Sequence, residues 1–333
     1  MAEQKPLRIA LFGAGRMGQI HATTIASHPR AQLIAVVDPN VNAARELATR
    51  HGCNVLDDDS VFRDKTIDAV VIASAASAHP EQIKSAALAG KAIFCEKPLA
   101  RDLESVRQIV DTVEEHQVVF LLGFNRRFDR HFQDLKAKLG PDGVGSPEIV
   151  ILTSRDPRPP PGDYVRAAGG IIRETTIHDI DMARYLTGED PAFVFGMAAS
   201  RTEQALEDGA FDDTVVVTMR MPSGCLVTIN NSWRASYGYD QRAEVHARHG
   251  MMRLDNVLPT TVSFSGEIGT VTDKPEPFFM ERYMEAYRRE MESFISAAGS
   301  GSQLVPTARD GLKALEIAEA VERSIAQNKV ISL

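Results

Sequence analysis

The first part of the chain repeats short apolar runs, each of which passes into a segment with helical periodicity. The apolar runs lie at 7–12, 32–37, 68–73, 92–94 and 118–122. The helix-like segments between them lie at 17–27, 41–51, 80–89 and 103–116. Near-continuous apolar strands that alternate with helices are typical of a parallel sheet covered on both faces. The pattern therefore predicts a doubly wound α/β domain of the Rossmann type.

Beyond about residue 145, apolar and polar residues alternate along longer stretches. Alternation is clear at 213–220, 225–232, 242–248 and 251–254, and turn sequences separate these stretches. This pattern predicts antiparallel hairpins on an open sheet, followed by two helices at 279–298 and 308–326. A chain of 333 residues is long for one domain. We therefore predict two domains, at 1–125 and 126–333, with the second an α+β domain on a large, mainly antiparallel open sheet. The C-terminal helix could pack back on the first domain.

Composition and charge exclude several kinds of partner. The formal net charge is −8, which argues against nucleic acid and anionic membranes, since both need a basic surface. We see neither a secretory signal pattern nor an apolar run long enough to span a bilayer. The three cysteines, Cys53, Cys95 and Cys225, have no metal-ligand spacing. We therefore expect a cytoplasmic protein with no disulfide and no metal site.

A glycine-rich motif follows the first apolar run. It has the form G-x-G-x-x-G, and its sequence is Gly13-Ala14-Gly15-Arg16-Met17-Gly18. The first glycine permits a tight turn, the second a close approach of a pyrophosphate, and the third close packing of helix on strand. Asp38 follows Gly18 at a spacing of 20 residues and ends the next run. This context predicts a dinucleotide site at the N-terminus of a helix.

Asp38 also bears on which dinucleotide binds. Its carboxylate would accept hydrogen bonds from the ribose hydroxyls and would repel a 2′-phosphate. The following Pro39-Asn40 offers no arginine to compensate, so we expect NAD rather than NADP. The residues predicted to contact the cofactor are Gly13, Gly15, Arg16, Met17, Gly18, Asp38, Ser74, His79, Glu96, Lys97 and Asn125. His79, which precedes a proline, has more of a structural than a catalytic character.

Two further groups of residues could carry chemistry. Lys97 follows the apolar run at 92–94, at the strand end where a parallel sheet binds ligands. It could hold a substrate hydroxyl or assist proton transfer, and the alternative is a solvated lysine at a turn. Glu174 and His178 are spaced to share one face of a helix, so His178 could act as a general base oriented by a carboxylate. The alternative there is a surface histidine paired with a glutamate.

Asn125 and Arg127 lie just beyond the last predicted strand of the first domain. Both could contact nicotinamide or a substrate hydroxyl. The alternative is that the arginine pairs with carboxylates across the boundary between the domains.

These motifs together resemble the glucose–fructose oxidoreductase/inositol dehydrogenase family, and in particular its myo-inositol 2-dehydrogenase-like members. The resemblance rests on the glycine motif with Asp38, on Glu96-Lys97-Pro98, on the run 123–128 and on Gly169-Gly170 followed by His178. It implies a Rossmann domain, a C-terminal domain whose open sheet mediates dimers or tetramers, and a catalytic group that contains Lys97 and His178. It also makes Tyr237 and Tyr239 candidates for substrate contacts.

The chain departs from the family pattern beside the histidine. The family usually has aspartate four residues before it, whereas this chain has Glu174, and Arg173 stands where relatives are usually apolar. The extra methylene moves the carboxylate, which bears on the substrate accepted.

The hypothesis that follows is an NAD-dependent dehydrogenase that forms a homo-oligomer, either a dimer or a homotetramer. It would oxidise a secondary alcohol of a cyclic polyol, with inositol as the leading substrate. Lys97, Glu174 and His178 would form the catalytic group, and Lys97, Arg127, Glu174, His178, Tyr237 and Tyr239 would contact the substrate. Two alternatives remain open: a dehydrogenase of an aldose or another sugar derivative, and a dinucleotide-binding regulator without turnover.

Overall fold

The computed structural model describes residues 5–203 and 211–333. These residues divide into two compact units. The first contains the chain up to Phe128 together with Ala286–Leu312, and the second contains Asp129–Glu285 together with Lys313–Leu333.

The first unit is built on a six-stranded parallel sheet, as the apolar runs predict. Its strands are β1 (Leu7–Phe12), β2 (Ala31–Val37), β3 (Asn54–Val55), β4 (Ala69–Ile72), β5 (Ala92–Glu96) and β6 (Phe120–Gly123). Its helices are α1 (Arg16–Ala26), α2 (Val41–His51), α3 (Asp58–Arg63), α4 (His79–Leu88) and α5 (Leu103–His116). The strand order is β3-β2-β1-β4-β5-β6. The order reverses between β1 and β4, and such a switch point is where this fold binds dinucleotides.

The second unit is built on a seven-stranded mixed sheet. Its strands are β7 (Pro147–Arg155), β8 (Phe193–Ala199), β9 (Thr214–Arg220), β10 (Leu226–Ser232), β11 (Asp240–Ala247), β12 (Gly250–Leu254) and β15 (Ile331–Ser332). A separate hairpin consists of β13 (Ser263–Gly266) and β14 (Gly269–Thr272). The remaining helices are α6 (Arg130–Ala137), α7 (Gly162–Ala168), α8 (Ile177–Thr187), α9 (Phe279–Ser300) and α10 (Ala308–Gln327), of which α9 and α10 are divided between the two units. The mainly antiparallel sheet is confirmed.

One strand pair of this sheet was not expected. The order is β12-β11-β7-β10-β9-β8-β15, and β7 pairs with β10 in parallel. A hairpin pattern reveals only strands that are neighbours in sequence, and β7 and β10 are not. The sheet is apolar on both faces along β7, where Val150 and Leu152 are buried while Ile149 and Ile151 are exposed.

Part of the predicted second domain belongs to the first unit. The segment Ala286–Leu312 contains most of α9, and this part of the helix completes the core beside β5. Phe294 is fully buried, and its ring centroid lies 5.8 Å from that of Phe94 on β5. Large apolar residues on one face of α9 thus supply packing that the first 128 residues lack.

Candidate active site

The glycine motif forms the tight turn between β1 and α1. Gly13 has a φ of +100°, and a Cβ at this position would lie 2.3 Å from the Ala73 carbonyl oxygen. A Cβ at Gly18 would lie only 1.9 Å from the Gly13 carbonyl oxygen. Such separations exclude any side chain at either position, so both glycines are required by the fold itself.

Gly15 differs from these two glycines because a Cβ there would meet no atom within 4 Å. The open space adjoins the first residues of α1, where Arg16 and Met17 begin the helix and no acidic side chain occupies the first turn. The first amide groups of a helix have no partner within the helix, and the positive end of the helix dipole lies at this point. The turn therefore fits a bound pyrophosphate, and Gly15 keeps the approach open.

Asp38 at the end of β2 is fixed by two backbone amides. The Ala14 amide donates to Oδ2 at 2.7 Å, and the Asn40 amide donates to Oδ1 at 2.7 Å. Each carboxylate oxygen retains a second lone pair that can accept a further hydrogen bond. This geometry fits the expected contact with the ribose hydroxyls.

His79 links the ends of two neighbouring strands. Its Nδ1 lies 2.8 Å from the Pro98 carbonyl oxygen, and its Nε2 lies 3.1 Å from the Ser74 carbonyl oxygen. Burial lowers the pKa of His79, and the two carbonyl groups only partly oppose this. The side chain of Ser74 is also engaged, because its hydroxyl donates to Gln82 Oε1 at 2.6 Å. These contacts support a structural role for His79 in holding the loop after β4 beside the loop after β5.

Glu96 and Lys97 point into different environments. Glu96 is buried, and its Oε1 accepts a hydrogen bond from His21 Nε2 at 2.7 Å. Because the Glu96 carboxylate faces this buried pocket, the predicted contact between Glu96 and the cofactor has no support here. Lys97 is partly exposed at the carboxyl end of the sheet, and the Lys97–Pro98 peptide is cis.

The residues after β6 form a short 3-10 helix, Asn125–Phe128. Asn125 is buried, whereas Arg127 donates to Asp310 Oδ1 at 3.0 Å. Pairing with a carboxylate was the alternative to a substrate contact for this arginine. The carboxylate belongs to the same unit as Arg127 and not, as that alternative assumed, to the other domain.

In the second unit, Glu174 lies in a π-helical turn that precedes α8. The turn spans Ile172–Thr176 and is wound more widely than an α-helix. Glu174 Oε1 accepts a hydrogen bond from the Tyr164 hydroxyl of α7 at 3.0 Å. His178 lies in the first turn of α8 and is partly exposed. Single π-helical turns inside helices are frequent at functional sites.

A buried polar network that sequence reasoning missed anchors this helix to the sheet. Asp179 accepts hydrogen bonds from Ser154 Oγ at 2.8 Å and from Asn231 Nδ2 at 2.7 Å. One turn earlier, Trp233 Nε1 donates to Thr175 Oγ1 at 2.8 Å. Since Asp179 adjoins His178, these bonds fix where the imidazole can lie. The signal in the sequence was the inward-facing polar residues on strands that are otherwise apolar.

Arg173 has a structural partner. Its Nε and an Nη each donate to Glu322 at 2.8 Å, in a bidentate pair, and Glu319 lies at 3.4 Å. The arginine therefore ties the π-helical turn to α10. This explains an arginine at a position where an apolar residue was expected.

The two tyrosines proposed for substrate contact have different surroundings. Tyr237 is 40% exposed, and its hydroxyl donates to Asp240 Oδ2 at 2.6 Å and accepts from Arg155 at 3.1 Å. Burial, with the hydrogen bond to Asp240, raises the pKa of Tyr237. Tyr239 is only 6% exposed, and its ring packs edge-on against Phe278 and Tyr283. Burial thus favours a core role for Tyr239, and the surface position of Tyr237 leaves it available to a ligand.

The cysteines are free, and no helix in the described part of the chain has the length and apolar character needed to cross a bilayer. The predicted site residues divide between the two units. The glycine motif, Asp38, Lys97 and Asn125 belong to the first, and Glu174, His178 and both tyrosines belong to the second.

The fold and the site together define an NAD-binding oxidoreductase. Residues 7–124 match the profile described as "Oxidoreductase family, NAD-binding Rossmann fold", and residues 132–253 match the GFO/IDH/MocA C-terminal domain. The chain belongs to the GFO/IDH/MocA oxidoreductase family, which confirms the resemblance drawn from its motifs.

Its similarity to individual members extends over nearly the whole chain. It is 42% identical to an inositol 2-dehydrogenase of Rhizobium meliloti (strain 1021), over 98% of this chain and 99% of the relative. A crystal structure of a myo-inositol dehydrogenase from Corynebacterium glutamicum is 38% identical, with a TM-score of 0.94 over 98% of this chain and 99% of that one. A scyllo-inositol dehydrogenase from Lactobacillus casei, with bound NAD(H) and scyllo-inositol, is 28% identical, with a TM-score of 0.90 over 98% of this chain and 99% of that one.

Proposed function

We propose that this protein oxidises a secondary alcohol of an inositol with NAD. The observation that carries the proposal is the likeness, over almost the full chain, to inositol dehydrogenases, including one with NAD(H) and scyllo-inositol bound. The open approach at Gly15 and the fixed carboxylate of Asp38 support the cofactor part of the proposal.

Lys97 and His178 would act on the substrate hydroxyl. NAD supplies the acceptor for the hydride that leaves the carbinol carbon. His178 takes the hydroxyl proton as general base, so that the alcohol becomes a ketone. The Lys97 ammonium stabilises the negative charge that develops on the oxygen. The buried hydrogen bonds of Asp179 hold His178 in place for this step.

Glu174 would set the choice of substrate. The Tyr164 hydroxyl donates a hydrogen bond to Glu174 Oε1, which fixes the position of the carboxylate. Because Glu174 replaces the usual aspartate, the distance to a ligand hydroxyl changes by about one carbon–carbon bond, an amount that matters in a preorganised site. This difference is the reason to keep an aldose or another sugar derivative as the second candidate substrate.

The test is a panel assay that follows reduction of the cofactor by the absorbance of the reduced form at about 340 nm. The panel contains myo-inositol, scyllo-inositol, D-chiro-inositol and common aldoses, each with NAD and with NADP. We expect NAD-dependent turnover of an inositol, and its loss in the His178→Ala variant. Turnover of aldoses alone would show that the substrate is an aldose and not an inositol. NAD binding without any turnover would favour a dinucleotide-binding regulator.

We also propose that the protein is a homotetramer. The register of the second sheet aligns Met251, His246, Ile149, Leu226, Arg220 and Phe193 in one row across its strands. The four apolar members of this row are each more than 40% exposed. A second copy of the same face would bury them, since large exposed apolar patches mark interaction surfaces.

The β13–β14 hairpin offers a second apolar surface, formed by Val262, Phe264, Ile268 and Val271, all exposed. Two separate self-complementary surfaces are what a tetramer of two dimers requires. Light scattering after gel filtration tests this assignment. Leu226→Lys should reduce the oligomer, whereas Leu88→Lys, on an exposed position of α4, should not.

A cytoplasmic location is also part of the proposal. The free state of Cys53, Cys95 and Cys225 supports it, because unpaired cysteines are typical of reducing compartments. Cell fractionation of the tagged protein tests this assignment.

A further inference from the structure

Three ionisable side chains of the first unit meet in a buried pocket. They are His21 of α1, Glu96 at the end of β5 and Glu290 of α9, and they are 0%, 8% and 0% exposed. One ligand-type atom from each lies within 4.8 Å of the other two. Two carboxylates this close and this far from water cannot both be ionised at moderate cost. One of them must therefore carry a proton.

Hydrogen bonding distinguishes the two carboxyl groups. His21 Nε2 lies 2.7 Å from Glu96 Oε1, so Glu96 is the acceptor of a short hydrogen bond. Glu290 has no hydrogen-bond donor to either oxygen among the described residues. Burial, with the nearby charge of Glu96, raises the pKa of Glu290 well above its usual range. The short contact with His21 and the missing donor at Glu290 therefore favour Glu290 as the group that carries the proton.

Aromatic rings and bare backbone line part of the pocket. The ring of Phe94 lies 4.8 Å from that of His21, and the ring of Tyr287 lies 6.2 Å from it. On the side of β6, a Cβ at Gly123 would lie 2.9 Å from Glu96 Oε2, so the bare backbone closes the pocket there. The nearby thiol of Cys95 points to the opposite face, because successive side chains of a strand alternate.

We propose that Glu290 is a positioning residue that, as a neutral carboxylic acid, supports Glu96 and so fixes the turn carrying Lys97. His21 Nε2 contacts Oε1 of the Glu96 carboxylate, and an oxygen of Glu290 lies within 4.8 Å of an oxygen of Glu96. The adjacent peptide places the Lys97 ammonium at the carboxyl end of the sheet. The functional part of this inference rests on the proposed role of Lys97, whereas the protonation of Glu290 does not.

A bound divalent cation is the rival explanation of the same cluster. Bonds of about 2.0–2.2 Å at tetrahedral angles place two ligand atoms about 3.3 Å apart. The separation of 2.7 Å between His21 Nε2 and Glu96 Oε1 is shorter than this and matches a hydrogen bond. The geometry therefore favours a proton over a cation.

The first experiment compares Glu290→Gln with the wild type in urea unfolding between about pH 6 and pH 9. Because the folded-state pKa of Glu290 is raised, its contribution to stability is lost as pH rises through that value. The urea midpoint of the wild type should therefore decrease with rising pH relative to that of the variant. Glu281→Gln, at an exposed position of the same helix, should give a constant difference. A constant difference for Glu290→Gln as well would overturn the proposal, as would one equivalent of metal in the purified protein.

The second experiment tests positioning. Glu290→Leu removes the donor at similar volume, so kcat should fall by about tenfold while the KM for NAD stays nearly constant. Glu290→Gln should restore most of that loss, because its amide can donate to Glu96. Equal kcat values for the two variants would contradict a positioning role. Full turnover in the Lys97→Ala variant would contradict the proposed role of Lys97. It would leave the protonation of Glu290 untouched, because the pH dependence of stability tests that part separately.

Discussion

The carbonyl oxygen of Gly13 lies where a side chain at Gly18 would have to go, with 1.9 Å between that oxygen and the position of a Cβ. Gly15, between them, has open space at the corresponding position. The same motif thus contains glycines required by the fold and one glycine required by the ligand.

The first prediction separates these two requirements. Gly18→Ala should destabilise the protein by about 1–3 kcal/mol or more, because the backbone contact cannot be relieved by a rotamer change. Gly15→Ala should leave the unfolding midpoint nearly unchanged and weaken NAD binding by at least about tenfold, or about 1.4 kcal/mol. Urea unfolding and fluorescence titration with NAD measure the two effects. Equal losses of stability in both variants would contradict this division.

The second prediction concerns Asp38. Asp38→Ala removes a charged hydrogen-bond acceptor, which should cost about 1.5–3 kcal/mol of NAD affinity, or about tenfold to 150-fold. The preference over NADP should shrink, since the repulsion of a 2′-phosphate disappears. Asp38→Asn serves as the control, because it keeps one acceptor for the Ala14 amide but lacks the charge. Titration with both dinucleotides gives the result, and an undiminished preference for NAD in both variants would exclude the carboxylate as its cause.

The third prediction concerns Lys97. Lys97→Ala should lower kcat by about 100-fold to 1,000-fold, the loss expected when one group that stabilises an oxyanion is removed. NAD affinity should change little, because the phosphate and ribose contacts lie elsewhere. Lys84→Ala, at an exposed position on α4, is the matched control. Steady-state kinetics with the best substrate from the panel measures this effect. A kcat of Lys97→Ala equal to that of the wild type would contradict a role for Lys97 in the reaction.

The fourth prediction distinguishes two neighbouring residues. Arg173→Ala should cost about 1 kcal/mol of stability through its half-exposed ion pair with Glu322. A double-mutant cycle with Glu322→Ala measures that coupling. Glu174→Asp should instead change the KM for the polyol by about 2–10-fold, since the shorter side chain no longer reaches both Tyr164 and a ligand. A KM that changed only in the arginine variant would reverse these roles.

The fifth prediction uses His79. Burial lowers its folded-state pKa below the usual value of about 6.5. The unfolded chain therefore binds more protons than the folded chain below about pH 6.5, so the free energy of unfolding decreases as the pH is lowered, by up to about 1.4 kcal/mol per pH unit. His79→Gln should reduce the slope of the free energy of unfolding against pH in the acidic range, relative to the wild type. His249→Gln, at an exposed position, should leave this slope unchanged. Urea unfolding from about pH 5 to about pH 7.5 measures the slopes.

The parts of the site that could be predicted from sequence depend on short spacings. The glycine motif and Asp38 lie within one βαβ unit, so their order along the chain almost fixes their geometry. The end of β5 placed Lys97 correctly at the carboxyl edge of the sheet for the same reason.

The parts that could not be predicted depend on residues far apart in the chain. Glu290 meets Glu96 only because α9 returns to the first unit. Asp179 likewise finds Asn231 only once β7 and β10 pair in parallel, a pairing that hairpin patterns do not reveal. The π-helical turn around Glu174 has no periodicity signal of its own, because one wide turn alters the pattern too little.

The return of α9 to the first unit has a consequence for synthesis of the chain. The face of β5 that Phe294 covers stays open until the ribosome has added the residues from 129 to 294. At about 5–20 residues per second, that interval is of the order of ten to thirty seconds. Apolar surface of the nucleotide-binding unit is therefore accessible to chaperones throughout that time, and an isolated fragment ending near Phe128 would keep it exposed permanently.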